Sequence, residues 1–175
     1  MRNRALAVIG TAVLLALSGC TTPEPATPTP TAAFSSEEEA FAAAEETYRA
    51  YVDALNQVDL SDPETFEQLY SLTVADLNAS DRKQFSEWHA DGLTKTGDAV
   101  VSRVEGKSYE EESGRVEIDA CYDVGAVDIK NAQGESLVSA ERPDIQPLTV
   151  VLVSETGQPT GLSIAAISAS ERLQC

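Results

Sequence analysis

The sequence is poor in the residues that most catalytic and metal sites use. It holds one histidine, His89, and three cysteines, Cys20, Cys121 and Cys175, in 175 residues. A zinc site needs about four Cys, His or carboxylate donors in a set spacing, so none is expected. A Ser-His-Asp triad would have to be built on His89, and no nucleophile and orienting acid stand at a recognisable spacing from it. Beside Trp88 on a helix, His89 reads as a packing or surface residue. Positive charge is also scarce: 12 Lys and Arg face 29 Asp and Glu, a formal charge of −17. Such a surface repels phosphate backbones, which argues against nucleic acid as a partner. No motif points to a cofactor. No apolar run reaches the roughly 20 residues that a membrane-spanning helix needs.

The longest apolar run lies at the start. Arg2 and Arg4 precede Ala5 to Leu17, which only Gly10 and Thr11 interrupt. A basic n-region followed by a short apolar h-region reads as a signal peptide over residues 1–19. It ends Leu17-Ser18-Gly19-Cys20, which resembles the lipobox of bacterial lipoproteins. The resemblance implies cleavage before Cys20 and diacylglycerol on its thiol. The expected location is therefore the extracytoplasmic face of the cell membrane, with membrane lipid as a partner through acylated Cys20.

Residues 20–34 follow as a linker. Thr21 to Thr31 carries four prolines and no large apolar side chain. Such a segment cannot bury enough surface to fold, and it extends as a polyproline-II spacer. About 140 residues remain, the length of one domain with its own core.

If Cys20 carries lipid, Cys121 and Cys175 are left as a pair. An exported chain meets an oxidising compartment, so these two are expected to form a disulfide.

Within the domain, Ser35-Ser36-Glu37-Glu38-Glu39 is a capping-box pattern. Phe41, Ala44, Tyr48, Tyr51, Val52 and Leu55 then recur on one helical stripe. This predicts a helix over about 36–58. Asp62-Pro63 opens a short second helix to about Tyr70. Ser80, taken as a cap, opens a third helix through Phe85, Trp88 and His89 that Gly92 stops. From Gly97 the period shifts towards two. Val100, Ser102 and Val104 are set against Val101, Arg103 and Glu105, and a hairpin loop is expected around Glu110 to Gly114. The clearest strand places Val116, Ile118, Ala120, Tyr122 and Val124 inward. Arg115, Glu117, Asp119, Cys121 and Asp123 then face out, where the acids read as a solvated face. Gly125 bends the chain, and Asn131-Ala132-Gln133-Gly134 turns into a strand at Glu135 to Val138. Leu148 to Val153, apolar on both faces, suits a central strand, and Leu162 to Ile167 a last one. No internal repeat is present.

Three helices followed by an antiparallel sheet give an α+β class. With Cys121-Tyr122-Asp123-Val124-Gly125, the Asn131 to Gly134 turn and Cys175, the domain at 35–175 resembles actinobacterial lipoproteins with an NTF2-like (SnoaL-like) domain. Where such domains often carry a Gly-Trp pair, this chain has Gly161-Leu162. The resemblance implies a cone: a curved sheet around a long helix, open at one end. Some members work as isomerases, dehydratases or cyclases in that cavity. Tyr48, Tyr51 and Tyr122 are the candidate pocket residues, although aromatics on an apolar stripe also read as core. The leading expectation is a non-catalytic module for a small-molecule ligand or an envelope protein. The rival is an isomerase or hydrolase using an interior Tyr or Asp.

Overall fold

Residues 34–175 are described by a computed structural model. The leader, Cys20 and most of the Pro/Thr-rich linker lie outside the described residues. Among the described residues, no helix is long and apolar enough to cross a membrane.

Helix α1 runs Glu37–Gln57. Ser36 caps it, accepting a hydrogen bond from the Glu39 amide, and the Glu39 carboxylate accepts in return from the Ser35 amide. That reciprocal pairing satisfies donors that the first helical turn would leave bare. Phe34, the last residue of the expected linker, packs edge-on against Tyr109 with ring centroids 6.0 Å apart.

Asp62 caps a 3-10 turn, Pro63–Thr65, which leads into α2, Phe66–Ser71. Helix α3 spans Ala75–Ala90, so it begins five residues before Ser80. Ser80 lies inside it, and its hydroxyl donates to the Leu77 carbonyl. Its N-terminal boundary residue, Val74, has no capping side chain. The side chain of Asn78 instead ties that end down, donating to the Tyr70 and Thr73 carbonyls.

The main sheet has the order β2-β3-β5-β6, antiparallel throughout. Its strands are β2 Val100–Glu110, β3 Arg115–Asp123, β5 Ile145–Ser154 and β6 Leu162–Ala169. A two-stranded ribbon, β1 Thr94–Thr96 with β4 Asp128–Lys130, stands beside it. The alternation expected in β2 breaks between Val101 and Arg103, where the register shifts. Before the shift the alternation holds, with Val101 buried and Val100 57% exposed. A strand at Glu135 to Val138 does not form; a single bridge, Lys130 to Ser136, stands in its place. The Asn131 side chain explains this, because it accepts from the Gln133 and Glu135 amides and holds the segment as a turn.

The inner face of β3 is as the period-two reading places it. Val116, Ile118 and Ala120 have no solvent exposure, and Val150, Leu152, Leu162 and Ile164 join them from β5 and β6. Each such Val, Leu or Ile contributes about 1.5–3 kcal/mol by leaving water. Helix α1 lies across this face. Ala40 and Ala44 are small enough to let it approach, and Gly106 leaves the space that the Phe41 ring fills.

The outer face of β3 departs from expectation. Asp119 is not solvated; it is completely buried. Its cross-strand neighbour Thr149 donates to Oδ1 at 2.5 Å, and Arg172 places Nε and Nη2 at 2.8 Å from Oδ2. Burial alone would raise this carboxyl. Hydrogen bonds from Thr149, Arg172 and Ser170 outweigh that and hold it below the usual carboxylate range. The C-terminal tail is what covers it. The Ser170 amide docks on the Pro147 carbonyl, Leu173 is buried, and Cys175 is bonded to Cys121.

Candidate functional site

At one end of the sheet, α1, α3, β3 and the β1–β4 ribbon enclose a cavity of about 280 Å³. This lies at the lower edge of the roughly 300–1,000 Å³ range of small-molecule sites. Its apolar wall is made by Leu55, Phe85, Trp88, Val127 and Ile129. Its polar groups are Tyr51, Asp81, Lys95, Tyr122 and Arg142, with Asn56 and Gln84 beside them.

Two of the three sequence-derived pocket residues reach it. Tyr51 arrives on the sheet-facing stripe of α1, and Tyr122 on the inner face of β3 just before the strand ends. Tyr48 does not line the cavity. It lies one helical turn back, fully buried, stacked against Tyr51 with centroids 6.4 Å apart. Its hydroxyl has no hydrogen-bond partner. The stripe that makes it look like a pocket residue makes it core.

Asp81 is the functional group that sequence reasoning missed. With α3 starting at Ala75, Asp81 shares a face with Gln84, Phe85 and Trp88, at spacings of three, four and seven. An acid on an apolar stripe was the available signal. Burial raises its carboxyl to about 6, and the Tyr51 hydroxyl, 3.5 Å from Oδ2, pulls modestly the other way. Burial also pushes the Tyr51 phenol upward, and the neighbouring Asp81 charge adds to the rise. Both groups therefore favour their neutral forms more than they would in water.

Arg142 comes from the loop before β5 and Lys95 from β1 of the ribbon. The Arg142 Nη2 donates to the carbonyls of Val124 at 2.7 Å and Val127 at 2.8 Å, which pins the guanidinium at the cavity wall. Its Nε is buried with no partner. Lys95 Nζ donates to the Asn56 carbonyl at 3.1 Å, and burial lowers its pKa against the opposing pull of Asp98. Burial raises Tyr122 as well, offset in part by Arg142.

His89 stands outside this cavity, at the far end of α3. Its Nδ1 meets the Leu60 carbonyl at 2.8 Å, so that nitrogen carries the proton and the ring acts as a brace. An adjoining apolar groove of about 390 Å³ shares Trp88, Ile129 and Arg142 with the cavity and is extended by Leu93, Leu137 and Val138.

No protein-family model matches the sequence, and no curated protein matches it. Solved structures do share its architecture. The intermembrane space region of the chloroplast protein ARC6 superposes with a TM-score of 0.51 at 12% identity, over 74% of this chain and 95% of that one. A candidate aromatic ring hydroxylase from Novosphingobium aromaticivorans superposes with a TM-score of 0.50 at 11% identity, over 76% and 94%. The domain has the NTF2-like cone fold. Identity this low speaks to fold alone, and the fold hosts unrelated activities.

Proposed function

We propose that this chain is an extracytoplasmic lipoprotein whose cone domain binds a small molecule with an apolar body. Acyl chains on Cys20 hold it at the cell membrane. The observation that carries the binding reading is the cavity itself, with an apolar wall and convergent polar groups at Tyr51, Asp81, Tyr122 and Arg142. The leader and the Leu17-Ser18-Gly19-Cys20 sequence support the anchor. Trp88 is the only tryptophan and lines the cavity, so its emission reports occupancy directly. Neutral apolar molecules such as 1-octanol are expected to shift that emission saturably. Val127→Phe, which narrows the cavity, should abolish the shift. A linear, unsaturable response in both proteins rejects a binding site.

One observation favours a second reading, proton transfer on a bound substrate. Asp81 has a carboxyl raised to about 6 and faces a tyrosine hydroxyl, which suits a general acid or base near neutral pH. Incubating 2-tetralone with the protein in D2O tests it by NMR. Exchange at the carbon beside the carbonyl that disappears in Asp81→Asn supports catalysis. Exchange equal to the buffer rate rejects it for ketones.

A further inference from the structure

The chain carries 12 lysines and arginines, of which Arg2 and Arg4 lie outside the described residues. Eight of the remaining ten have a carboxylate within ion-pair distance: Arg49, Arg82, Lys83, Arg103, Lys107, Arg115, Lys130 and Arg172. Among the described residues, the two that do not are Lys95 and Arg142, and both line the same cavity. In a protein with 29 acids, an unpaired cation is unusual, and two at one site more so. Neither swings freely. Main-chain carbonyls of Val124 and Val127 hold Arg142, and that of Asn56 holds Lys95. The Arg142 Nε–H is buried with no acceptor among the described residues. A buried donor of this kind is stabilised when a ligand oxygen meets it, more so if the oxygen is charged.

We infer that the cavity is built for an organic anion: a small carboxylate whose acid group lies between Arg142 and Lys95 and whose apolar body lies against Leu55, Phe85, Trp88 and Ile129. This rests on the binding reading above and names its ligand class. The negative field of the whole surface does not forbid it. Exposed charges are screened within about 8 Å at physiological salt, whereas the two cations act at contact distance inside a partly desolvated site. The single acid that lines the cavity, Asp81, sits on α3, and the Asp98 carboxylate acts on Lys95 from outside the lining and beyond 4.0 Å. The groups sharing the cavity with it are Tyr51 from α1, Lys95 from β1, Tyr122 from β3 and Arg142 from the loop before β5. Both cations are left without a carboxylate within 4.0 Å among the described residues.

The test compares octanoate with octanamide, which share a body and differ in charge, on the full-length protein by Trp88 emission and by calorimetry. Octanoate is expected to bind about tenfold more tightly at low salt, the increment of a charge-assisted contact. Lys95→Met and Arg142→Met should each shrink that ratio, and the double variant should bring it close to unity, with octanoate affinity falling further than octanamide affinity. Arg142 also braces the loop at Val124 and Val127, so Lys95→Met, which loses only one main-chain contact, carries the test if the arginine variant fails to fold. Octanamide binding as tightly as octanoate, or a ratio indifferent to both substitutions, overturns the inference and leaves a neutral binding site standing. Binding of neither probe overturns this inference together with the binding reading beneath it.

Discussion

Arg172 sets two guanidinium nitrogens 2.8 Å from one oxygen of Asp119, a carboxylate with no solvent exposure of its own. The arginine side chain is itself 54% exposed, so the pair closes the outer face like a cover with one side in water. Removing the arginine leaves a buried charge with fewer hydrogen bonds. Arg172→Met should destabilise the domain by about 2 kcal/mol, less than a fully buried pair would lose because water can reach the gap. Asp119 ionises more readily folded than unfolded. Its contribution is therefore complete above the unfolded value near about pH 4 and is lost as pH falls through the depressed native value. Urea denaturation at neutral pH and at about pH 3 checks both statements, since the gap between the variant and the parent should narrow in acid.

The Cys121–Cys175 bond closes a loop with a sequence separation of 54. Cys175→Ser should cost about 4 kcal/mol by chain-entropy reasoning. Combined with Arg172→Met, the loss should be smaller than the sum, because a tail that has already lifted no longer covers Asp119. A double-mutant cycle in urea reads the coupling. Strict additivity would mean that the tail stays docked without its bond.

Asp81 has the opposite sign. Its carboxyl is raised to about 6 by burial, so the folded domain binds that proton more tightly than the unfolded chain does. The cost of holding it ionised is absent below about pH 4 and complete above about pH 6. Asp81→Asn should stabilise the domain by about 1 kcal/mol at neutral pH, after allowance for solvent screening at a partly exposed group. At about pH 4 the gain should vanish, which denaturation midpoints at the two values will show.

Tyr48 offers a cleaner case. Its ring is core and its hydroxyl is buried without a partner. Tyr48→Phe removes an unsatisfied group and little else, so stability should hold or rise by about 1 kcal/mol. A thermal midpoint lowered by several degrees would mean that the hydroxyl has a partner, such as an internal water.

Cys20→Ser tests the anchor. The lipid requires a thiol, so the variant should lose the acyl mass and leave the membrane fraction. A parent that carries no acyl mass, or a variant that keeps it, would reject acylation at this position.

How much of this was legible in the sequence depended on what each pattern encodes. Helical spacing placed α1, and period-two alternation placed the inner face of β3 correctly from Val116 to Ala120. The disulfide followed from redox compartment and elimination. Alternation says which face a residue is on, not whether another segment later covers that face. That is why Asp119 was misjudged: its cover is the tail some 50 positions away. Asp81 was lost to local chemistry. Serine caps helices so often that Ser80 looked like a start, whereas the helix begins at Ala75 and Asn78 ties that end down, which brings Asp81 onto the apolar stripe. Arg142 and Lys95 carry no periodic signal, because loop and ribbon residues are positioned by main-chain carbonyls brought near only by folding.

Phe34 sits on Tyr109, near the Glu110–Arg115 hairpin, whereas the cavity lies by the other end of α1, at Leu55 and Asn56. Twenty-one helical residues, about 30 Å, separate the two. A stalk leaving at Phe34 would thus be fastened to one pole while the entrance occupied the other. Cargo would arrive from the surrounding medium rather than be lifted out of the leaflet underneath.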